Sequence, residues 1–235
     1  MATVILVRHG RSTANVAGIL TGRASGVSLD DVGRSQALRA AERLAVVPLV
    51  AVISSPLART MQTARTIAEH QNGSPQVQQD AGIIECDYGQ WQGRPLTELA
   101  QEPLWSVVQS RPSEATFPGG ESMAGMQERS VQAIRRHDAA FEQAHGAGAV
   151  WVAVSHGDII KSVLADALGM SLDHFQRITI NPGSLSIIRY GTTRPDVVAT
   201  NTDSGDLSWL RATAPVGDAP VGGGAGPGAP TQDAS

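Results

Sequence analysis

The chain has a single cysteine, Cys86, among 235 residues. One thiol excludes an internal disulfide and fits a reducing compartment. No apolar run approaches the roughly 20 residues that cross a bilayer, which excludes a hydrophobic membrane span. The apolar stretch at residues 4–7 is too short for the core of a signal peptide, and charge follows it rather than precedes it. Basic residues are not in excess: 18 Lys and Arg stand against 22 Asp and Glu, with a net charge of −4. That balance argues against a nucleic-acid-binding protein. No internal repeat is visible. These absences predict a cytoplasmic protein with neither a membrane nor a nucleic-acid partner.

What is present is alternation. Residues 3–7, 49–53 and 150–154 read as short buried strands, and residues 77–79 as a weak one. Helix signals fall between them: Asp30 as an N-cap with good helix formers through 36–45, then 57–70, 121–145 and 159–168. In the second of these, Met61, Ala64, Ile67 and Ala68 share a face. Residues 10–27 read as a loop, and Gly146–Gly148 and Gly169 as helix stops. Residues 185–190 and 197–200 read as late, antiparallel strands. Residues 82–120 carry four prolines with Trp91 and Trp105, and predict short helices and loops covering one end of the domain. This order predicts one three-layer α/β/α sandwich with a mainly parallel sheet over residues 1–211. Residues 212–235 are rich in Gly, Pro and Ala with almost no large apolar side chain, and predict a disordered tail.

The chemistry lies just beyond the strands. The first ends in Arg8-His9-Gly10, the second in Ser54-Ser55-Pro56 with Arg59 one turn later, and the third in Ser155-His156-Gly157-Asp158. In open parallel sheets, ligands bind beyond the carboxyl ends of the strands. Two histidines and two arginines therefore converge on one edge. A lone histidine is more often structural than catalytic, and a lone arginine is more often solvated. Several cations gathered at a buried edge repel one another, however, unless an anion joins them. A phosphate dianion fits, because arginine's planar fork matches its oxygens. The same cations disfavour imidazolium, which would leave His9 neutral and nucleophilic. A zinc site would need a third ligand and tolerates neighbouring arginines poorly, even with Asp158 available. A Ser-His-Asp triad through Ser54 or Ser155 lacks the G-x-S-x-G elbow.

LVRHGRSTAN, SSPLARTMQTA, IIECDYGQWQG, FPGGES and VSHGDIIKSVL occur in this order. Over about residues 3–200 the chain resembles the histidine phosphatase superfamily, the phosphoglycerate mutase-like RHG branch. The resemblance implies a phosphoglycerate mutase-like fold and a metal-independent phosphomonoesterase without a cofactor. His9 would be the nucleophile that becomes phosphohistidine. Arg8, Arg59 and a protonated His156 would clamp the phosphate, and Glu85 would protonate the leaving group. Asn15 and the turn Thr21-Gly22-Arg23 would line the phosphate end. The Gly157 N–H, at a helix start, would face the anion. Ile83, Ile84, Tyr88 and Trp91 flank Glu85 and predict a pKa raised by desolvation. Without the resemblance, Glu85 would read as a solvated loop carboxylate.

Three departures bear on function. Arg11 stands where many relatives have Glu or Gln, and predicts a salt bridge to Asp158 or Glu85, or a substrate with extra negative charge. Ala14 replaces the tryptophan of the cofactor-dependent mutases, and the stretch from Glu85 to Glu121 is short. Both favour a phosphatase over a phosphoglycerate-type mutase, the alternative reading; a phosphate-binding scaffold without turnover would be expected to lack His9, His156 or Glu85. Tyr88, Trp91, Arg94, Trp105 and Arg111 are candidates to cap a small phosphorylated metabolite, or else fill core. The chain is compatible with a homo-oligomer through its edge strands or the region around residues 172–180.

Overall fold

In a computed structural model, residues 2–205 and 221–224 are described. Strand β1 (Thr3–Arg8) leads into a short helix α1 (Thr13–Val16), then α2 (Asp31–Leu44), β2 (Ala51–Ser54), α3 (Ala58–Glu69) and β3 (Val77–Gln79). Two small helices follow, α4 (Leu96–Leu99) and α5 (Pro103–Ser110). After them come the long α6 (Met123–His145), β4 (Val150–Ser155), α7 (Gly157–Ala167), β5 (Leu185–Tyr190) and β6 (Pro195–Thr202). The strands form one sheet in the order β3-β2-β4-β1-β5-β6. The first four of these run parallel, while β5 and β6 pair antiparallel.

Alternation along the strands builds two cores. Val4 and Leu6 of β1 join Ile53, Trp151 and Ala153 on the face that meets α6 and α7. Ile5 and Val7 join Val52, Val152 and Val154 on the face that meets α2 and α3. Side chains alternate across a strand, so a central parallel sheet buried on both faces reads as continuous β-branched runs. The predicted helix face Met61, Ala64, Ile67 and Ala68 is buried. Asp30 caps α2 by accepting from the Gly33 N–H, as its sequence position predicts.

Gly10 and Gly33 are required by sterics. A Cβ on Gly10 would lie 2.1 Å from the Gly33 carbonyl oxygen, and one on Gly33 would lie 1.9 Å from that of Arg11. The loop after β1 thus packs backbone to backbone against the first turn of α2. That contact sets the path by which His9 leaves the sheet.

The tail differs from expectation. Val221–Gly224 is not loose chain: Val221 is buried in the core cluster with Leu20 and Tyr88. The Gly222 N–H donates to Asp158 Oδ2 at 2.9 Å. One buried apolar side chain and satisfied backbone groups order a segment whose composition alone predicts disorder. The remainder of 212–235 lies outside the described residues.

Candidate active site

Sheet register brings the three strand ends level. Arg8 pairs with Ser155, and Ser54 pairs with Val154. His9 follows β1, with its N–H held by the Ser155 carbonyl at 3.0 Å. His156 is the N-cap of α7, and Arg59 lies in the first turn of α3. All three side chains are buried.

Hydrogen bonds assign the imidazole tautomers. His9 Nδ1 lies 2.7 Å from the Gly10 carbonyl, which can only accept, so Nδ1 carries the proton. His9 Nε2 accepts from Arg59 Nε at 3.2 Å, and since Arg59 can only donate, Nε2 carries a lone pair and no proton. At His156 the pattern is reversed. Arg59 Nη2 donates to Nδ1 at 3.2 Å, and Nε2 donates to Ser55 Oγ at 2.8 Å. Desolvation, then Arg59, push both histidines well below the ordinary imidazole range. His156 is therefore neutral in the free site, contrary to the protonated His156 of the sequence reading. Burial together with Arg59, His9 and Arg8 outweighs any benefit of charge until an anion arrives.

Arg59 gathers the site. Besides the two histidines it donates from Nη2 to the Gly22 carbonyl at 2.9 Å. Its Nη1 is buried and has no partner among the described residues. Arg8 is buried and donates to the carbonyls of Ile180 at 2.8 Å and Gly224 at 2.6 Å, with a longer contact of 3.4 Å to Gly222. Burial lowers its pKa to about 10, against the opposing pull of Glu85 and Asp158, so it stays charged at neutral pH.

Glu85 is buried, with Oε1 accepting from the Cys86 N–H at 3.0 Å and Oε2 3.7 Å from His156 Nδ1. Desolvation first, and Asp158 second, raise its pKa from 4.5 to about 7. Its carboxylate is therefore penalised in the fold. Above pH 7 that penalty is fully present, and it fades as pH falls toward 4.5, where both folded and unfolded chains hold the proton. A rise from 4.5 to about 7 corresponds to about 3 kcal/mol. Glu85→Gln is expected to melt higher than the parent chain at pH 8.5 and close to it at pH 5. A difference of the same size at both values would contradict a protonated Glu85.

The cavity here is lined by His9, Asn15, Thr21, Gly22, Arg59, Glu85 and Tyr88, with an apolar wall and the tail residues Val221, Gly222 and Gly224. The predicted Asn15, Thr21 and Gly22 are thus at the pocket. Asn15 Oδ1 is committed to the Ser12 N–H and hydroxyl in a capping box. Gly22 has φ +50°, and a Cβ there would meet Gln92 Oε1 at 2.3 Å. Arg8, His156 and Gly157 are not among the residues lining this cavity; the tail carbonyls stand on Arg8, and His156 joins through Arg59 and Glu85.

Other expectations are corrected. Arg11 does form a salt bridge, but to Asp30 at 2.7 Å, not to Asp158 or Glu85, so it adds no free cation to the pocket. Arg23 turns from the phosphate end to the Glu85 carbonyl and Glu121. Asp158 takes the Tyr88 hydroxyl at 2.8 Å and stands 3.8 Å from Lys161. The Ser54 and Ser155 hydroxyls donate to the carbonyls of Ser55 and Ile83, which removes them as nucleophiles. Trp91 is buried, stacked with Trp105 at 6.1 Å and edge-on to Phe117, so these rings fill core. Arg94 pairs with Glu98 and Glu102, and Arg111 with Glu114. Among the described residues no group of three or more His, Cys, Asp or Glu is placed to hold a metal ion, and no helix is long and apolar enough to cross a membrane.

A model of the histidine phosphatase superfamily (branch 1) matches residues 4–203. The chain is 31% identical to phosphoserine phosphatase 1 of Hydrogenobacter thermophilus over 207 residues, 86% of this chain and 92% of that one. It is 33% identical to the probable phosphoglycerate mutase GpmB of Proteus mirabilis, over 81% of this chain and 86% of that one. Among solved structures, Bacillus stearothermophilus YhfR superposes with a TM-score of 0.78 at 25% identity, covering 87% of this chain and 98% of that one.

Proposed function

This chain belongs to the histidine phosphatase superfamily and is a phosphatase of that superfamily; we propose that it hydrolyses a small phosphomonoester through a phosphohistidine on His9. The observation that carries the reading is the His9 ring itself. Its proton is fixed on Nδ1 by Gly10, and its unprotonated Nε2 turns its lone pair into a buried pocket, where it accepts from Arg59 Nε.

In the first step Nε2 attacks phosphorus in line and the ester P–O bond breaks. The departing oxygen takes the proton that Glu85 holds near neutral pH. In the second step Glu85, now ionised, takes a proton from water, whose oxygen displaces His9 and yields phosphate. Phosphoryl transfer is mostly positioning and neutralisation of the equatorial oxygens. Arg59 Nη1, a buried donor without a partner among the described residues, supports Arg59 in that role. The incoming dianion would raise the pKa of His156 and convert its Nδ1 from acceptor to donor.

Arg8 Nη2 now rests on the Gly222 and Gly224 carbonyls, so a phosphate that takes Nη2 competes with the tail. Placing a carboxylate at the buried Val221 disfavours docking. Val221→Asp is accordingly expected to tighten inhibition by inorganic phosphate by about three- to tenfold, the signature of removing a competing state. Unchanged or weaker inhibition in a phosphate titration would show that the tail does not contest Arg8.

The relatives act, by name, on phosphoserine and, for the probable mutase, on phosphoglycerate. A phosphate-release screen in EDTA over phosphoserine and sugar, inositol, nucleoside and glycerate phosphates tests the reading. A parallel assay follows 3-phosphoglycerate to 2-phosphoglycerate with bisphosphoglycerate present. Release confined to a few esters supports the phosphatase and names its substrate. Isomerisation without net release would establish the mutase instead, and activity lost in EDTA and restored by metal would overturn the metal-independent mechanism.

A further inference from the structure

We propose that Arg129, held by Glu121, is a positioning residue that fixes Glu85 relative to the phosphate-binding guanidinium of Arg59. The inference rests on Glu85 being the acid of the proposed reaction. Among the described residues, 81–85 pair with no strand. Ala81–Ile83 is a single 3-10 turn, and the chain then runs extended toward Glu85. Backbone carbonyls in such a segment need other partners if they are to be buried.

Arg129 supplies them from α6. Its Nη1 donates to the Gly82 carbonyl at 2.9 Å and to the Ile84 carbonyl at 2.8 Å. Its Nη2 donates to the Glu85 carbonyl at 3.2 Å and to Glu121 Oε1 at 2.6 Å. Its Nε donates to Glu121 Oε2 at 2.9 Å. A guanidinium has five N–H donors, and here every one is used. The fork onto Glu121 sets the plane of the guanidinium, and the other edge of that plane reads three carbonyls leading up to the acid.

The clasp extends to the phosphate end. Arg23 Nε donates to the same Glu85 carbonyl at 2.9 Å, and its Nη2 to Glu121 Oε1 at 2.9 Å. The residue before it, Gly22, accepts from Arg59. Glu121 also accepts from the Asp87 N–H at 2.9 Å. Burial alone would raise the Glu121 pKa, but Arg129, the Asp87 N–H and Arg23 hold it below the ordinary carboxylate range, so the clasp stays ionised at working pH. One ionised carboxylate thus ties α6, the loop carrying Gly22 and the backbone of Glu85 into a single unit. A general acid must lie within hydrogen-bond reach of the departing oxygen, and an error near 1 Å is costly.

The experiment uses the full chain. Arg129→Lys keeps the charge but loses the fork. Glu121→Gln keeps the shape but loses the ionised clasp, and serves if Arg129→Lys melts early. Each is assayed on an alkyl phosphate and on p-nitrophenyl phosphate, alone and in a Glu85→Gln background. The expected result is a fall of about tenfold or more in kcat/KM on the alkyl ester, which reports formation of the phosphoenzyme, with little change in kcat/KM on p-nitrophenyl phosphate. In the Glu85→Gln background neither substitution should lower alkyl-ester turnover further, because a group acting through Glu85 has nothing left to position. Equal losses on both esters, or losses that multiply with Glu85→Gln, would make the role merely structural and overturn the proposal. If Glu85→Gln by itself shows no preference for the aryl ester, the acid reading has failed and the positioning role falls with it; a preference there without one in Arg129→Lys and Glu121→Gln overturns the positioning role alone.

Discussion

His9→Ala is expected to lower kcat on every phosphate ester at least about 10³-fold, since removal of the attacking nucleophile leaves only binding and electrostatics. No neighbour can take over. The His156 ring is 5.3 Å away, its Nε2–H is committed to Ser55, and its Nδ1 accepts from Arg59. Water attack without His9 would have to complete in one displacement what the phosphoenzyme divides into two. The fold should survive, because His9 makes no side-chain bond to the sheet; its partners are the Gly10 carbonyl and Arg59. Phosphate binding should survive as well, because Arg59 loses an acceptor and keeps its charge. The measurement is turnover together with thermal melting and a phosphate titration on the same sample. A parallel quench of the parent chain with labelled substrate should trap phosphate on a histidine, stable to base and labile to acid. Retained turnover in His9→Ala, or label on another residue, would remove His9 as the nucleophile.

The central strands β1, β2 and β4 were legible because they are short, largely β-branched and buried on both faces, so their ends could be read to within a residue or two. Those ends carry His9, Arg59 and His156, and parallel register places them together. The helix faces followed from apolar spacing, as at Met61, Ala64, Ile67 and Ala68. What composition could not show was pairing across long separations. Arg11 chose Asp30, an acid already turned toward it by capping α2. Arg129 carries no local signal at all, since its donors meet carbonyls more than 40 positions away. Glu121 was visible as part of FPGGES, but its partners Arg23 and Arg129 are joined only by the fold. Val221–Gly224 departs from expectation for a different reason. Its average composition predicts disorder, while a single buried Val221 and the Gly222 contact to Asp158 decide its place at the pocket. Charge state was also out of reach: His156 stands next to a carboxylate and still remains neutral, because desolvation and Arg59 dominate.

Glu85→Gln is the substitution that separates chemistry from binding. An alkoxide is a poor leaving group, and protonation of it by a positioned acid is worth about 10²–10⁴-fold. The p-nitrophenolate ion leaves without that help. Glu85→Gln is therefore expected to cost about 10²–10⁴-fold in kcat/KM on alkyl phosphates, which reports formation of the phosphoenzyme, and far less in kcat/KM on p-nitrophenyl phosphate. The pH profile supplies a second readout. Glu85 must hold its proton when the ester binds, and its pKa of about 7 places the loss of activity on the alkaline side. His9 is pushed well below its ordinary range, so its neutral form persists across the same interval and contributes no limb there. In the parent chain kcat/KM on an alkyl phosphate should accordingly fall about tenfold per pH unit above 7, as protonated Glu85 is depleted. That limb should vanish in Glu85→Gln, whose residual activity has no proton to lose. On p-nitrophenyl phosphate the limb should be weak in both forms. Equal losses on the two ester classes, or an alkaline limb that persists in Glu85→Gln, would assign the proton to another group. Asp158, the buried acid whose charge raises Glu85, is engaged by the Tyr88 hydroxyl and the Gly222 N–H. In Asp158→Asn the alkaline limb should move to lower pH, since removing that charge relieves one of the two causes that raise Glu85.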